Sequence, residues 1–319
     1  MQYSKTRLSA VRLMIFAALA FSVMVLSVKK LSAYLPSMEI VFIRSLLGCL
    51  LVLAAARVQK ISVSGFSRGR LALRGLYGFA ALALHFYTIS KLPLGTAVLL
   101  NYTAPLFILV FSLFFLREKT HPAVPLLVGL SFFGVFLLIE GGLGIWGADA
   151  FWGILSAVFS SFAYLTISSL KRREKPLTIV FYFTAISTLG SSVCFLDGFV
   201  WPKAADWPYL AGVALGSYYG QLWMTIALRR APASLVSPFS YLTPLLSFFY
   251  GLIFFGEKIA PLSLAGAVTI IVGGCLLSHY GTLRKPSRSA WIKPREESPD
   301  TRFSSEQRPD NLPSQSPLR

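Results

Sequence analysis

Charged residues are scarce in this chain, and acidic residues are the scarcest. Of its 319 residues only 13% are charged, and 13 Asp and Glu stand against 30 Lys and Arg. A soluble domain carries roughly twice that share of charged residues on its surface. With 55% hydrophobic residues and a mean hydropathy of +0.65, the composition therefore excludes an ordinary soluble protein.

Cysteines and catalytic motifs are also few. Cys49, Cys194 and Cys275 all lie in apolar stretches, which predicts packing roles and neither a disulfide framework nor a metal site. Because the chain has no HExxH zinc motif and no paired-Asp motif, we expect no enzyme activity, no metal and no cofactor. An enzyme embedded in the membrane and acting on a lipid or isoprenoid substrate stays as the alternative, and a receptor that transports nothing is a third possibility.

What the chain does have is a series of long apolar stretches, each about 18–23 residues long. Roughly 20 apolar residues are enough for an α-helix to cross a bilayer. The predicted spans are 11–28, 38–56, 71–90, 94–116, 123–140, 151–170, 177–196, 208–228, 233–255 and 261–279. The first span follows three basic residues and contains Ala18-Leu19-Ala20, a pattern shared with cleaved signal peptides. The repeat described next gives this span a partner and favours a retained helix.

The chain repeats itself at an offset of 139 residues. Residues 100–119 align with residues 239–258 without a gap, and seven of the 20 positions are identical. The same offset pairs prolines with prolines and one Glu-Lys pair with another, which shared apolar composition does not explain. The repeats are predicted at 11–142 and 150–280. Because five spans is an odd number, the second repeat enters the membrane from the opposite side, as in inverted-repeat transporters.

Basic residues predict the orientation. With residues 1–10 as a cytoplasmic N-terminus, the cytoplasmic segments hold 16 Lys and Arg, including Arg74, against 5 on the other side, the C-terminal tail not counted. This excess predicts cytoplasmic N- and C-termini in the cell inner membrane. It also accounts for the net charge of +17, so we expect no nucleic-acid partner. Residues 281–319, rich in Pro, Ser and charged residues, are predicted to form a disordered cytoplasmic tail.

Short motifs recur around the second, fourth and ninth spans. They are Glu39 through Arg44, Leu92-Pro93-Leu94-Gly95-Thr96-Ala97, Pro105 and Arg117-Glu118-Lys119 in the first repeat, and Pro232-Ala233-Ser234, Pro244 and Gly256-Glu257-Lys258 in the second. Together they resemble the drug/metabolite transporter superfamily, in particular its EamA-type members. The resemblance covers residues 11–280. It implies an all-α integral membrane protein with ten transmembrane helices in two inverted five-helix repeats, and a solute such as an amino acid, nucleotide, vitamin, S-adenosylmethionine or drug.

Polar residues inside the predicted spans are the candidate substrate-binding residues. They are Arg44, His85, Asn101, Tyr102, Tyr218, Gln221 and Tyr241. Arg44 is unfavourable in lipid unless it is paired or hydrated, so it either binds an anionic group of the solute or is a structural arginine that reaches the interface. His85 either titrates near neutral pH or shares a hydrogen bond in its neutral form. The tyrosines suit an amphipathic organic solute, but each also has an interpretation as a packing residue.

Two further features point to movement. Pro105 and Pro244 are predicted to kink the middle of the fourth and ninth spans, either as gating pivots or as packing kinks. The pairs Glu118-Lys119 and Glu257-Lys258 end those spans, on opposite membrane faces if the repeats are inverted. They serve either as alternating gate latches or as helix caps and interfacial anchors.

The expected function is secondary transport of a small organic metabolite by alternating access, with the direction left open. No Asp or Glu lies at the centre of any predicted span, so we expect no proton relay built on a buried carboxylate. Coupling then falls to His85, or transport is facilitative or exchanges one solute for another. The expected partners are the small-molecule solute and the lipid bilayer, and both a monomer and a homodimer stay open.

Overall fold

A computed structural model describes residues 2–116, 123–143, 148–170, 174–196, 198–231 and 236–280. Within these ranges every regular element is a helix. The α-helices are α1 Gln2–Leu31, α2 Ser37–Val58, α3 Arg68–Lys91, α4 Leu94–Asn101, α5 Ala104–Leu116, α6 Ala123–Leu143, α7 Ala148–Leu170, α8 Pro176–Ser191, α9 Trp207–Arg230, α10 Leu242–Phe255 and α11 Pro261–Tyr280. Short 3-10 helices are Ser192–Phe195, Ala204–Asp206 and Ser237–Tyr241. The predicted gate residues Glu118 and Lys119, and the predicted tail, lie outside the described residues.

The fourth and ninth predicted spans are broken, not kinked in the middle. The fourth becomes α4 and α5, separated at Tyr102 and Thr103, and the ninth contains a 3-10 helix followed directly by α10. The predicted kink prolines lie in the first turn after each break, Pro105 in α5 and Pro244 in α10. A first-turn proline removes no helical hydrogen bond, because that N–H has no partner within the helix, but its ring disfavours helix in the residue before it. This restriction explains why the helix breaks just before each proline.

Four helices are long and apolar enough to cross a membrane. They lie at Leu8–Leu31, Ser37–Val58, Asp149–Ile167 and Pro238–Phe255, and shorter apolar helices lie at Leu94–Ile108, Pro125–Ile139, Pro176–Ser191 and Pro261–Leu277. α3 and α9 are not apolar enough to be among these helices, and they carry several of the polar candidate residues. Large apolar side chains such as Leu126, Leu189 and Ile253 are more than two-thirds exposed, as expected where lipid and not water is the solvent.

The helices pack in pairs, and each pair joins a helix of one half of the chain to a helix of the other half. α1 packs on α9 and α7 packs on α3, and these two pairs are related by the 139-residue offset. α2 packs on α8 and α6 packs on α11, so each of these four helices packs on its own repeat equivalent. α4 packs on α10, which is the repeat equivalent of α5. The α6–α11 crossing is close, since a Cβ added at Gly134 would lie only 3.0 Å from the Gly266 carbonyl oxygen. The absence of a side chain at Gly134 permits this approach. Small residues allow such close contact between helices in membranes.

Candidate functional site

A central cavity of about 80 Å³ lies among α1, α2, α3, α7, α8 and α9, next to the break between α4 and α5. It has room for a few water molecules, and it is smaller than the 300–1,000 Å³ or so that is usual for a bound organic ligand. Five of the seven candidate binding residues line it. These are Arg44, His85, Asn101, Tyr102 and Gln221.

The cavity wall is built largely from residues that the repeat offset relates to one another. Ten of the sixteen lining residues form five pairs, each 139 positions apart. The pairs are Phe21 with Ser160, Met24 with Ala163, Val25 with Tyr164, Arg44 with Phe183, and Leu82 with Gln221. The two halves therefore contribute equivalent positions to one central space.

Arg44 is buried in the middle of this space, with 2% of its surface exposed. Its Nε donates a hydrogen bond of 2.7 Å to Ser217 Oγ, and Ser217 Oγ in turn donates to Met24 Sδ at 2.9 Å. Its guanidinium carbon lies 5.0 Å from the centroid of the Phe183 ring. Helices α2, α8 and α9 together fix its position. Arg44 therefore faces its own repeat equivalent, Phe183, across the cavity.

Arg74 is a second buried arginine that sequence reasoning missed. The distribution of basic residues predicts a cytoplasmic position for Arg74, but only 3% of its surface is exposed and it lines the cavity from α3. Its guanidinium carbon lies 4.7 Å from the same Phe183 ring. Within the described residues, its Nε and Nη1 have no hydrogen-bond partner. Gly78, one turn further along α3, makes room for it, because a Cβ there would overlap the guanidinium and lie 2.7 Å from the ring.

The polar groups on the remaining wall differ in how far they are satisfied. Asn101 Nδ2 donates to Ser156 Oγ at 2.5 Å and Ser160 Oγ at 3.1 Å, so α7 holds this amide in place. His85 Nδ1 and Gln221 Oε1 are buried and find no partner in the part of the chain that the structure describes. Buried polar atoms without partners are rare in folded proteins, which makes these two candidates for contact with a solute or water.

Two predicted binding residues lie away from the cavity. Tyr218 lines a narrower cleft beside Arg44 and Gln221 that has no room for water. Tyr241 is buried against Tyr102, with ring centroids 6.5 Å apart, and does not reach the cavity wall. Both were predicted from their place on a polar helix face or near a proline, which does not reveal what lies between them and the cavity.

At one end of the bundle, Glu257 contacts residues of the other repeat. Its carboxylate accepts hydrogen bonds from the Leu94 N–H at 3.0 and 2.8 Å, at the start of α4, and lies 3.5 Å from Lys29 Nζ. Lys29 Nζ also donates to the carbonyls of Ile89 and Leu92, at 3.1 and 2.7 Å. A carboxylate at a helix N-terminus is favoured by the helix dipole. Glu257 thus joins the two repeats at this end, whereas Lys258 is exposed.

Glu174, which sequence reasoning did not single out, holds the N-terminal end of α3. Its carboxylate accepts from the N–H groups of Phe66 and Ser67 at 2.8 and 2.6 Å, and its carbonyl accepts from Arg229 at 3.0 Å. Gly65, Ser67 and Gly69 have the G-x-S-x-G spacing of a hydrolase nucleophile elbow. That motif requires a serine on a strand-to-helix turn, and Ser67 instead follows a loop and precedes α3.

Comparison with known proteins adds to this geometry. The sequence pattern of the EamA-like transporter family matches twice, over residues 8–140 and 148–279. The pseudopaline exporter CntI of Pseudomonas aeruginosa is 34% identical over 273 residues, which cover 85% of this chain and 96% of that protein. The aromatic amino acid exporter YddG of Ancylobacter novellus is 31% identical over 219 residues, covering 64% and 72%. A solved crystal structure, 21% identical, has a TM-score of 0.64 and covers 87% of this chain and 99% of that chain, which shows a shared fold.

Proposed function

This chain belongs to the EamA-like transporter family, and we propose that it is a secondary transporter that moves a small organic solute across the inner membrane by alternating access. The two relatives named above are both exporters by name, which supports transport as the function of this chain. The central cavity, lined by five residue pairs at the repeat offset, is the observation that carries the proposal.

The proposed architecture is ten transmembrane helices in two inverted repeats, at 11–142 and 150–280, with both termini cytoplasmic. The packing of helices from one half against helices of the other half supports it, because α1–α9 and α7–α3 are the same contact made twice. Two inverted halves around a midplane cavity can rock against each other and open it to each side in turn. The tail at 281–319 is proposed to lie on the cytoplasmic side.

Gates at the two ends complete the proposed cycle. Glu257 joins the repeats at the end where α4 begins, and we assign this contact the role of a closed gate. Its repeat equivalent is Glu118, next to Lys119, and we assign that pair the same task at the opposite end. The break before Pro105 borders the cavity at Asn101 and Tyr102, and we assign this break and the one before Pro244 the role of pivots. Breaking a helix where it borders a cavity is tolerated at membrane depth.

The solute is proposed to contact the cavity-lining set of Arg44, His85, Asn101, Tyr102 and Gln221. Tyr218 and Tyr241 lie just behind this wall and come into contact when the cavity widens. The small volume of the cavity fits a state that is contracted around no solute, and opening of either end is what enlarges it.

The test is transport by the purified protein in liposomes, measured in both directions. The panel contains amino acids, nucleosides, vitamins and S-adenosylmethionine, with and without a pH gradient. We expect at least one solute to move. Leu82→Trp should abolish that movement, because Leu82 lines the cavity and a larger side chain fills it. Leu76→Trp on the same helix is the matched control. Leu76 is 54% exposed on the outer surface, so this variant should transport normally.

Two results would contradict the proposal. The first is a folded, liposome-inserted protein that moves none of the panel in either direction. The second is full transport by Leu82→Trp, which would show that the solute does not pass through this cavity. Single cysteines at positions 119 and 258 test the inverted architecture separately, because a membrane-impermeant thiol reagent should label them from opposite sides.

A further inference from the structure

The central cavity contains two positive charges and no negative one among its sixteen described lining residues. Arg44 and Arg74 both line it, and neither lies within ion-pair distance of a carboxylate in the described part of the chain. Arginine stays protonated in proteins, so these are two fixed charges in a water-poor region. Their surroundings are largely neutral, and the two guanidinium groups repel each other.

The protein itself compensates these charges only in part. Both guanidinium groups lie over one ring, that of Phe183, with their carbons 5.0 and 4.7 Å from its centroid. A ring face attracts a cation weakly compared with the penalty for burying it in a membrane. Arg44 donates hydrogen bonds to Ser217 Oγ at 2.7 Å and to Ser45 Oγ at 3.5 Å. Two of the three Arg74 nitrogens have no partner among the residues that the structure describes. The partner that these two charges lack among the described residues is an anion.

Resting on the proposed function, we infer that the transported solute is an organic anion with two carboxylates, one bound by Arg44 and one by Arg74 across Phe183. Carboxylates match the planar donor arrangement of a guanidinium group better than other common solute groups do. Because both guanidinium carbons lie within 5.0 Å of one ring centroid, they are at most about 10 Å apart. A short carbon chain spans that distance.

The rest of the wall suits the middle of such a solute. His85 Nδ1 and Gln221 Oε1 lie unpartnered along the same cavity, which provides for a polar substituent between the two carboxylates. Phe21, Met24 and Phe183 supply apolar contact for the carbon chain. Sites of this kind obtain specificity from a few polar groups in a mostly apolar wall.

The experiment measures binding and not transport, so that it is independent of the transporter assignment. Purified protein is titrated with glutarate, with its monoamide and with its diamide, which share one skeleton and carry two, one and no charges. Sulfate is the fourth probe, a dianion without a carbon skeleton. We expect glutarate to bind about tenfold or more tighter than the diamide, as charge-assisted hydrogen bonds require, with the monoamide between them and sulfate weaker than glutarate.

Variants assign the preference to the two arginines. Arg44→Gln and Arg74→Gln should each reduce the preference for glutarate over its monoamide to less than about twofold, because one charge-assisted contact is lost. Arg74→Lys keeps the charge and should retain part of the preference, which separates loss of charge from misfolding. Arg57→Gln, on the exposed end of α2, is the matched control and should bind like the unaltered protein.

Several outcomes would overturn the inference. Equal binding of glutarate and its diamide would show that the charges do not select the solute, and equal binding of sulfate and glutarate would show capture of any oxyanion. If none of the probes binds while the liposome panel identifies a neutral or cationic solute, the transporter assignment stands and the dicarboxylate assignment is wrong. If none binds and the identified solute carries two carboxylates, the inference stands, with further contacts required outside this pair.

Discussion

The two halves of the chain supply the same positions to one cavity but fill them with different chemistry. The first repeat contributes the guanidinium group of Arg44 where the second contributes the ring of Phe183. Conversely, the second contributes the amide of Gln221 where the first contributes the alkyl chain of Leu82. The backbone is duplicated, whereas the side chains of the site are complementary. The cation of Arg44 and the ring of Phe183 that it contacts therefore occupy equivalent positions of the two repeats.

This difference shows what duplication fixes and what it leaves free. Helix pairing depends on small residues and apolar surfaces, and both halves keep these, as the repeat-related Gly134 and Gly273 illustrate. A symmetric site would instead put four equivalent charges around one centre. Asymmetric filling avoids that repulsion and lets one solute bind in one orientation.

The sharpest way to break the comparison is to make the site symmetric. Phe183→Arg adds a third guanidinium group beside the two present and removes their shared ring. Each buried charge in a membrane costs several kcal/mol, so we expect transport to fall by more than about tenfold and the yield of monodisperse protein in detergent to fall with it. Liposome transport and size-exclusion chromatography measure the two effects.

The exchanged double variant Arg44→Phe/Phe183→Arg is the control, because it restores the native number of charges across the same ring-to-cation contact. It should recover most of the yield that Phe183→Arg loses, with a coupling energy between the two positions of about 1–3 kcal/mol. A double variant as poorly folded as Phe183→Arg alone would show that the two positions are not interchangeable halves of one site.

Gly78 and Ser217 are a second repeat-related pair with different tasks. Ser217 holds Arg44 by a hydrogen bond, and Gly78 makes room for Arg74. Gly78→Ser should displace Arg74 and destabilise the protein by about 1–3 kcal/mol through overpacking. Ser217→Gly should cost about 1–2 kcal/mol by leaving Arg44 Nε without its acceptor. Thermal unfolding in detergent compares the two, and a neutral Gly78→Ser would contradict the close packing described here.

The Glu257 end offers a comparison of the two gates. Glu257→Ala removes the acceptor of the Leu94 N–H and the partner of Lys29, so that end should open more often. With the native cysteines replaced, a cysteine at position 24 in the cavity should react with a membrane-impermeant thiol reagent about five times faster, a loss of roughly 1 kcal/mol of closure. Glu257→Gln keeps an acceptor and should lie between.

Glu118→Ala is the matched variant in the other repeat. It should increase labelling of the same cysteine from the opposite membrane face. Increased labelling from the same face in both variants would show that the two glutamates do not belong to opposite gates.

The sequence was sufficient for an all-helical membrane protein and for part of the site, but it did not predict the breaks in the fourth and ninth spans. His85, Asn101 and Gln221 were identifiable because a polar group stands out in an apolar span. Arg74 was not, because it closely follows Arg68 and Arg70 near the start of the predicted span 71–90 and so has the sequence context of an interfacial anchor. Only the packing of α3 on α7 and α8 buries it. The Lys29–Glu257 contact joins different repeats, so no local pattern predicts it.

The smallest expected effect concerns the two breaks, each of which precedes a proline at the same repeat position. Pro105 and Pro244 each follow a break and lie in the first turn of the next helix. Alanine at either position supplies an N–H and lifts the restriction on the preceding residue, so the helix can continue across the break. We expect Pro105→Ala and Pro244→Ala to slow transport about two- to threefold, while thermal stability stays equal or rises by up to about 1 kcal/mol. The two variants should agree within error, because the pivots are equivalent. A loss of stability without slower transport would instead identify the prolines as packing residues.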